Sequence, residues 1–165
     1  MAKLWKGLLA GGVVIALIAG FVLLAPFGDW LPGGSVANLP RQEVVNGTAF
    51  NALFPPAPTG TNLVYTQEKR GFSEARLKQG DQALALLAIS DTNNSPEARS
   101  KFADSSEQLA GWPLVEQGDH ASALLVADRF QVKVIEQNEG LDLEARHQLL
   151  DQFDLPGLAK LQPAA

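Results

Sequence analysis

The chain contains no cysteine. That absence removes disulfides, a lipoprotein-type lipidated cysteine, thiolate metal sites and cysteine nucleophiles together, and it leaves the redox compartment open. Histidine is scarce: only His120 and His147 occur. They fall in different expected elements and form no HxxxH or HExxH pattern, so they read as solvated surface residues and no metal site is assigned. No GxSxG or Walker phosphate loop is present, so no catalytic or cofactor-binding residue is assigned and no cofactor is expected. Acid–base sites built from carboxylates leave no motif, so that chemistry stays open. Asp91, Asn93 and Ser95 stand at the first positions of a calcium-type loop, but Pro96 and Phe102 occupy its glycine and glutamate positions, which rules the loop out. An excess of basic residues is also lacking. The net charge of −5 argues against nucleic acid as a partner.

Charge is missing altogether from Gly7 to Ala25, "GLLAGGVVIALIAGFVLLA". As a helix these residues would reach about 28 Å, close to the thickness of a bilayer's hydrocarbon core. Lys3 and Lys6 precede the run, Asp29 follows it, and the next cation is Arg41. The positive-inside rule therefore puts the N-terminus on the cytoplasmic side and the rest of the chain across the membrane, in a lumen or periplasm. A cleaved signal peptide is the competing reading, with the small residues of "SVA" (Ser35 to Ala37) as its cleavage site. The apolar core of such peptides is usually about 7 to 15 residues, and a Pro/Gly-rich gap separates this run from "SVA", so a retained single-pass anchor is preferred. Gly12, Ala16 and Gly20 lie four apart, on one face of the expected helix. Small residues in that spacing allow a second helix to pack closely, although glycine and alanine are common in membrane helices generally. The resulting division is an anchor over residues 1–27, a linker over 28–39 and a soluble domain over 40–165.

Within that domain one phrase occurs twice. "GDQALALLAISD" starts at Gly80 and "GDHASALLVADR" at Gly118, and six of the first eight positions match. Each opens on a "GD" turn and enters an uncharged apolar run, as expected of a central strand covered on both faces. Each leads to a segment carrying "EAR", Glu97 to Arg99 and Glu144 to Arg146.

Pattern places a helix from Pro40 to Leu53, two polar strands in "NLVYTQE" and "FSEARLKQ", and a strand in "QALALLAIS". A second helix is capped by Ser95 and closed by Gly111, with Ala98, Phe102, Ser105 and Leu109 as its buried stripe. Strands follow in "WPLVEQ", "ASALLV" and "RFQVKVIE". A last helix is capped by Asp142 and stopped by Pro156. The expected class is α+β, a mostly antiparallel sheet with flanking helices in a helix-strands-helix-strands-helix order like that of roadblock or longin domains.

The segment "YTQEKRGFSEARLK" concentrates Lys69, Arg70, Arg76 and Lys78 in an acidic domain and sets Phe72 beside a turn at Gly71. Lys69, Arg70, Phe72 and Arg76 are the candidate docking residues, for an acidic partner or anionic lipid heads. The plainer reading is a solvated hairpin whose charges deter edge pairing.

The strings "YTQEKRGFSEARL", "LAISDT", "LAGWPLV" and "DRFQVKV", following one N-terminal apolar run, resemble a family of small single-pass thylakoid membrane proteins of cyanobacteria and chloroplasts. The resemblance implies an accessory or assembly role beside a photosynthetic membrane complex and implies no reaction. Two functions from different classes are therefore carried forward. One is a membrane-anchored, non-enzymatic interaction module that binds a membrane protein complex. The other is a membrane-tethered solute-binding or enzymatic domain on the trans side.

Overall fold

Alternating side chains between residues 62 and 136 build strands that all enter one sheet. The computed structural model describes residues 44–161. Its seven strands are β1 (Asn62–Lys69), β2 (Phe72–Gln79), β3 (Gln82–Asp91), β4 (Glu107–Leu109), β5 (Trp112–Glu116), β6 (Ala121–Val126) and β7 (Phe130–Glu136). They form a single antiparallel sheet in the order β1-β2-β3-β7-β6-β5-β4. Two meanders, β1–β3 and β4–β7, thus meet where β3 pairs with β7.

The register sorts the residues onto two faces. Ala75 and Leu77 of β2, Leu87 and Ile89 of β3, Val132 and Val134 of β7, and Leu124 and Val126 of β6 share one face and form the main core. A 3-10 helix (Gly47–Leu53) and two α-helices, α2 (Leu143–Asp151) and α3 (Leu155–Ala159), add Phe50, Leu53, Leu149, Leu150, Leu155 and Leu158 to that core. The opposite face carries Leu86, Ala88, Lys133, Ala123 and Leu125. Phe102 packs there against Ala123 and Leu125, just beyond helix α1 (Pro96–Ser100). β3 and β6, the two repeated phrases, are both interior strands.

Three features of the expected class are corrected. First, the domain is dominated by its sheet and its helices are short; the longest among the described residues is the nine-residue α2. The roadblock or longin-like order with flanking helices does not hold. Second, the expected first helix is, in its described part, only the 3-10 helix. Val45 is taken up by backbone pairing, its carbonyl accepting from Gly71 N at 2.7 Å and its N–H donating to Asp91 Oδ2 at 3.1 Å. Asn46 then caps the turn, and Gly47, Phe50 and Leu53 are buried at the spacing of three that a 3-10 helix imposes. A side chain at Gly47 would collide with the backbone carbonyls of Lys69 and Phe72, so glycine is what lets this turn lie on the β1–β2 hairpin.

Third, the expected helix from Ser95 to Leu109 is five residues of α1 followed by a hairpin. Ser95 makes no capping bond; its hydroxyl goes to Glu97. Ser105 Oγ bonds to the carbonyls of Glu107 and Leu114, the kind of local side-chain bonding that competes with helix. Ala110 and Gly111, with φ of 52° and 83°, then turn β4 into β5. The anchor and its small-residue stripe, Gly12, Ala16 and Gly20, lie outside the described residues. Among the described residues no helix is long and apolar enough to cross a membrane.

Candidate functional site

The acidic side of the sheet gathers both histidines around one buried arginine. Asp142 caps α2 by accepting from Ala145 N at 2.8 Å, and this sets the helix rotation. Arg146 then stands three, four and seven residues before Leu149, Leu150 and Phe153, on the buried stripe, with its side chain 5% exposed. Its Nε donates to Ser122 Oγ of β6 at 3.1 Å. Its terminal nitrogens lie 3.5 Å from Glu116 Oε2 and 3.5 Å from Glu136 Oε2, at the ends of β5 and β7. Ser122 Oγ donates in turn to Glu116 Oε2 at 2.6 Å. His147 Nε2 is 2.8 Å from Glu116 Oε1, and His120 Nδ1 is 2.9 Å from Glu136 Oε2.

Ser122 is engaged as donor to Glu116 and acceptor from Arg146, and neither histidine touches it, so this is not a serine nucleophile with an imidazole base. The cluster ties α2 to three strands. A guanidinium shared by two carboxylates is a strong clamp because losing it would strand buried charge. Among the described residues no group of three or more His, Asp or Glu side chains is placed to hold a metal ion. His120 is exposed, as its sequence context suggests, whereas His147 is half-buried, and each has a glutamate partner.

Beside the clamp, between β4 and α2, lies an open groove of about 320 Å³. Its apolar walls are Leu109 and Leu143, and its polar lining is Glu144, His147, Gln148 and Asp151. Leu143 is 48% exposed. Exposed Glu107 and Asp142 extend the negative charge around this edge.

The other edge carries the sequence-derived docking residues. Lys69, Arg70 and Gly71 turn β1 into β2, with Gly71 at φ +75°. Lys69 and Arg76 are exposed and Arg70 is half-buried. Phe72 is 1% exposed and offers no surface to a partner; instead the Lys69 ammonium sits 5.3 Å above its ring. Gly71 explains this burial, since a side chain there would strike Asn94 and Val44, which close over the hairpin.

The edge strand is pinned from the 3-10 helix. Glu68 accepts from Thr48 Oγ1 at 2.6 Å and Asn51 Nδ2 at 2.5 Å, and these bonds hold its carboxyl below the usual range. Tyr65 OH donates to Asn51 O at 2.8 Å, and partial burial raises its pKa. A bulge between Tyr65 and Gln67 interrupts the β1 ladder.

Two further charged groups are structural. Asp91, fully buried at the end of β3, accepts from Arg129 Nε at 3.1 Å and Nη2 at 2.7 Å and from the Val45 and Asn93 amides. It joins the entry segment to the β6–β7 turn. Lys133 lies between Ala88 and Ala123 on the second face, and burial, with the Lys101 charge, lowers its pKa to about 8.

The Arg146 cluster escapes a sequence reading because its members come from β5, β6, β7 and α2. The available signal is an arginine in phase with Leu149, Leu150 and Phe153. No protein-family model matches the chain, no curated protein is significantly similar to it, and no solved structure matches its fold.

Proposed function

We propose that this chain is a membrane-tethered accessory or assembly protein rather than an enzyme. Its sheet domain is held on the luminal or periplasmic side and docks on a membrane protein complex. The uncharged run Gly7 to Ala25, with lysines before it and an aspartate after it, supports the tether and its direction. The resemblance of the hairpin and strand strings to thylakoid membrane proteins supports a photosynthetic complex as the partner.

The observation that carries the docking role is the basic β1–β2 edge. Lys69 and Arg76 project from an edge that is held in place by the Glu68–Thr48–Asn51 bonds and by the buried Phe72. A charged surface on a pinned edge presents its cations at fixed positions, which favours specific over diffuse electrostatic contact.

The test is gentle solubilisation of membranes containing the full chain, native separation, and identification of what co-migrates. The reading expects the chain in a discrete species larger than itself that contains a second membrane protein. Migration as the free chain alone would overturn it.

A further inference from the structure

The two edges of the sheet are complementary. The β1–β2 edge offers Lys69, Arg76 and the half-buried Lys78, and the β4–α2 edge offers Glu107, Asp142, Glu144 and Asp151. Among the described residues, the large apolar side chains left exposed are Val64, Tyr65 and Leu143, at 41%, 43% and 48%. Val64 and Tyr65 lie on the basic edge. Leu143 lies on the acidic one, where with Leu109 it walls the groove. Val64 shares a face of the hairpin with Arg76 and Lys69, whereas Tyr65 lies on the other face with its ring against Phe54. The hairpin's cations outnumber its carboxylates, Glu68 and Glu74, so net positive charge beside Val64 at one end matches net negative charge beside Leu143 at the far end.

Each edge also ends in a strand with one side unpaired in this sheet, β1 at one end and β4 at the other. Such a strand accepts another unless something prevents it. A like-with-like contact is disfavoured at both ends, because it would set cation against cation or carboxylate against carboxylate.

We propose that the groove between β4 and α2 receives the β1 edge of a second copy of this chain, so that copies associate head to tail. The proposal rests on the basic edge being a docking surface; in a head-to-tail row the terminal copy keeps its β1 edge free for the membrane complex. In this contact Val64 of one copy, on the face it shares with Lys69 and Arg76, meets the Leu109–Leu143 wall of the next, and Lys69 and Arg76 face Glu144 and Asp151. The contact is heterologous: it uses different patches on the two copies, so each copy keeps one edge free to add another. Because it depends on exposed charges, salt weakens it.

The absence of native cysteine makes the test direct. Gln67→Cys on β1 and Gln148→Cys in the groove are exposed, uncharged positions. Each full-length variant is prepared separately in a nonionic detergent, and the two are mixed at low ionic strength under mild oxidation. The expected result is a mixed disulfide dimer that neither variant forms alone. It should be lost at about 1 M salt, and lost when Glu144→Lys and Asp151→Lys are added to the Gln148→Cys chain. No mixed dimer, or a homodimer from one variant as abundant as the mixed species, would overturn the head-to-tail contact. If the mixed dimer fails while native complexes still depend on Lys69 and Arg76, the second copy is wrong and the docking edge stands. If both fail, the docking edge is wrong as well.

Discussion

The interior strands β3, β7 and β6 and the two edges of the sheet are built from different materials. Every residue of β6 is buried, and in β3 the stretch Leu86 to Ile89 is buried on both faces. β1 is exposed along nearly its whole length, and β4 has only three residues, two of them exposed. The interior spends its side chains on the core. The edges carry the charge and the exposed apolar groups. Edge strands need some device against indiscriminate pairing, and this sheet uses a bulge in β1, brevity in β4 and charge at both. Stability should therefore be lost by changes inside and association by changes at the rim, with α2 as the joint between them.

The largest expected effect is in the interior. Leu124 is fully buried in the main core, opposite Val132 and Leu114. Leu124→Asp buries an unpaired carboxylate at a cost of several kcal/mol, comparable to the total stability of a domain, about 5–15 kcal/mol. The variant should show no cooperative thermal transition by circular dichroism. A soluble variant that melts like the parent would mean that β6 is not a core strand.

Next comes the joint. Arg146→Met leaves Ser122 and Glu136 without their buried donor and should cost about 3 kcal/mol. Arg99→Met, in the other "EAR" copy, is the control. Arg99 is 38% exposed, bonds to Thr92 and Asn93, and approaches Asp128 only to 3.9 Å. Its loss should cost under about 1 kcal/mol. Equal losses in denaturant titration would remove the distinction between clamp and surface arginine.

Lys133 gives a smaller effect with a definite sign. Its folded pKa, about 8, is below the ordinary 10.5. Below pH 8 both folded and unfolded chains carry the proton, and the cost of burying the ammonium is present throughout. Between about 8 and 10.5 the unfolded chain binds more protons, so this group makes stability rise with pH. Lys133→Met should raise the melting temperature at pH 7 and flatten that rise. A lower melting temperature at pH 7 would show that the ammonium is stabilised where it lies.

Much of the interior was legible because strands announce themselves by alternation and turns by glycine. The "GD" turns, the uncharged runs of β3 and β6, the alternation of β7 and the Asp142 cap all carry local signals. The segment Pro96 to Leu109 misled because its apolar residues fall at helical spacing, while its real fate depends on Ser105 bonding across to Leu114 and on a left-handed Ala110. Neither is visible without the partner strand. Phe50 escapes a sequence reading because the 3-10 turn buries Gly47, Phe50 and Leu53 at a spacing of three, which the α-helix expected from Pro40 to Leu53 does not follow. Phe72 looked exposed beside a charged turn, yet packing around Gly71 buries it. The repeated "EAR" was visible as text only. Each arginine stands three residues before a buried apolar residue, Phe102 or Leu149, but α1 ends at Ser100 and buries none of its own residues, whereas α2 runs on and buries Arg146 with Leu149 and Leu150.

The claim that the edges are the working surfaces is tested most directly by Lys69→Glu with Arg76→Glu in the full chain. Thermal melting and native separation from gently solubilised membranes are measured on the same preparation. The account predicts a melting temperature within a few degrees of the parent and loss of the larger native species. Retention of that species, with the fold intact, would contradict it.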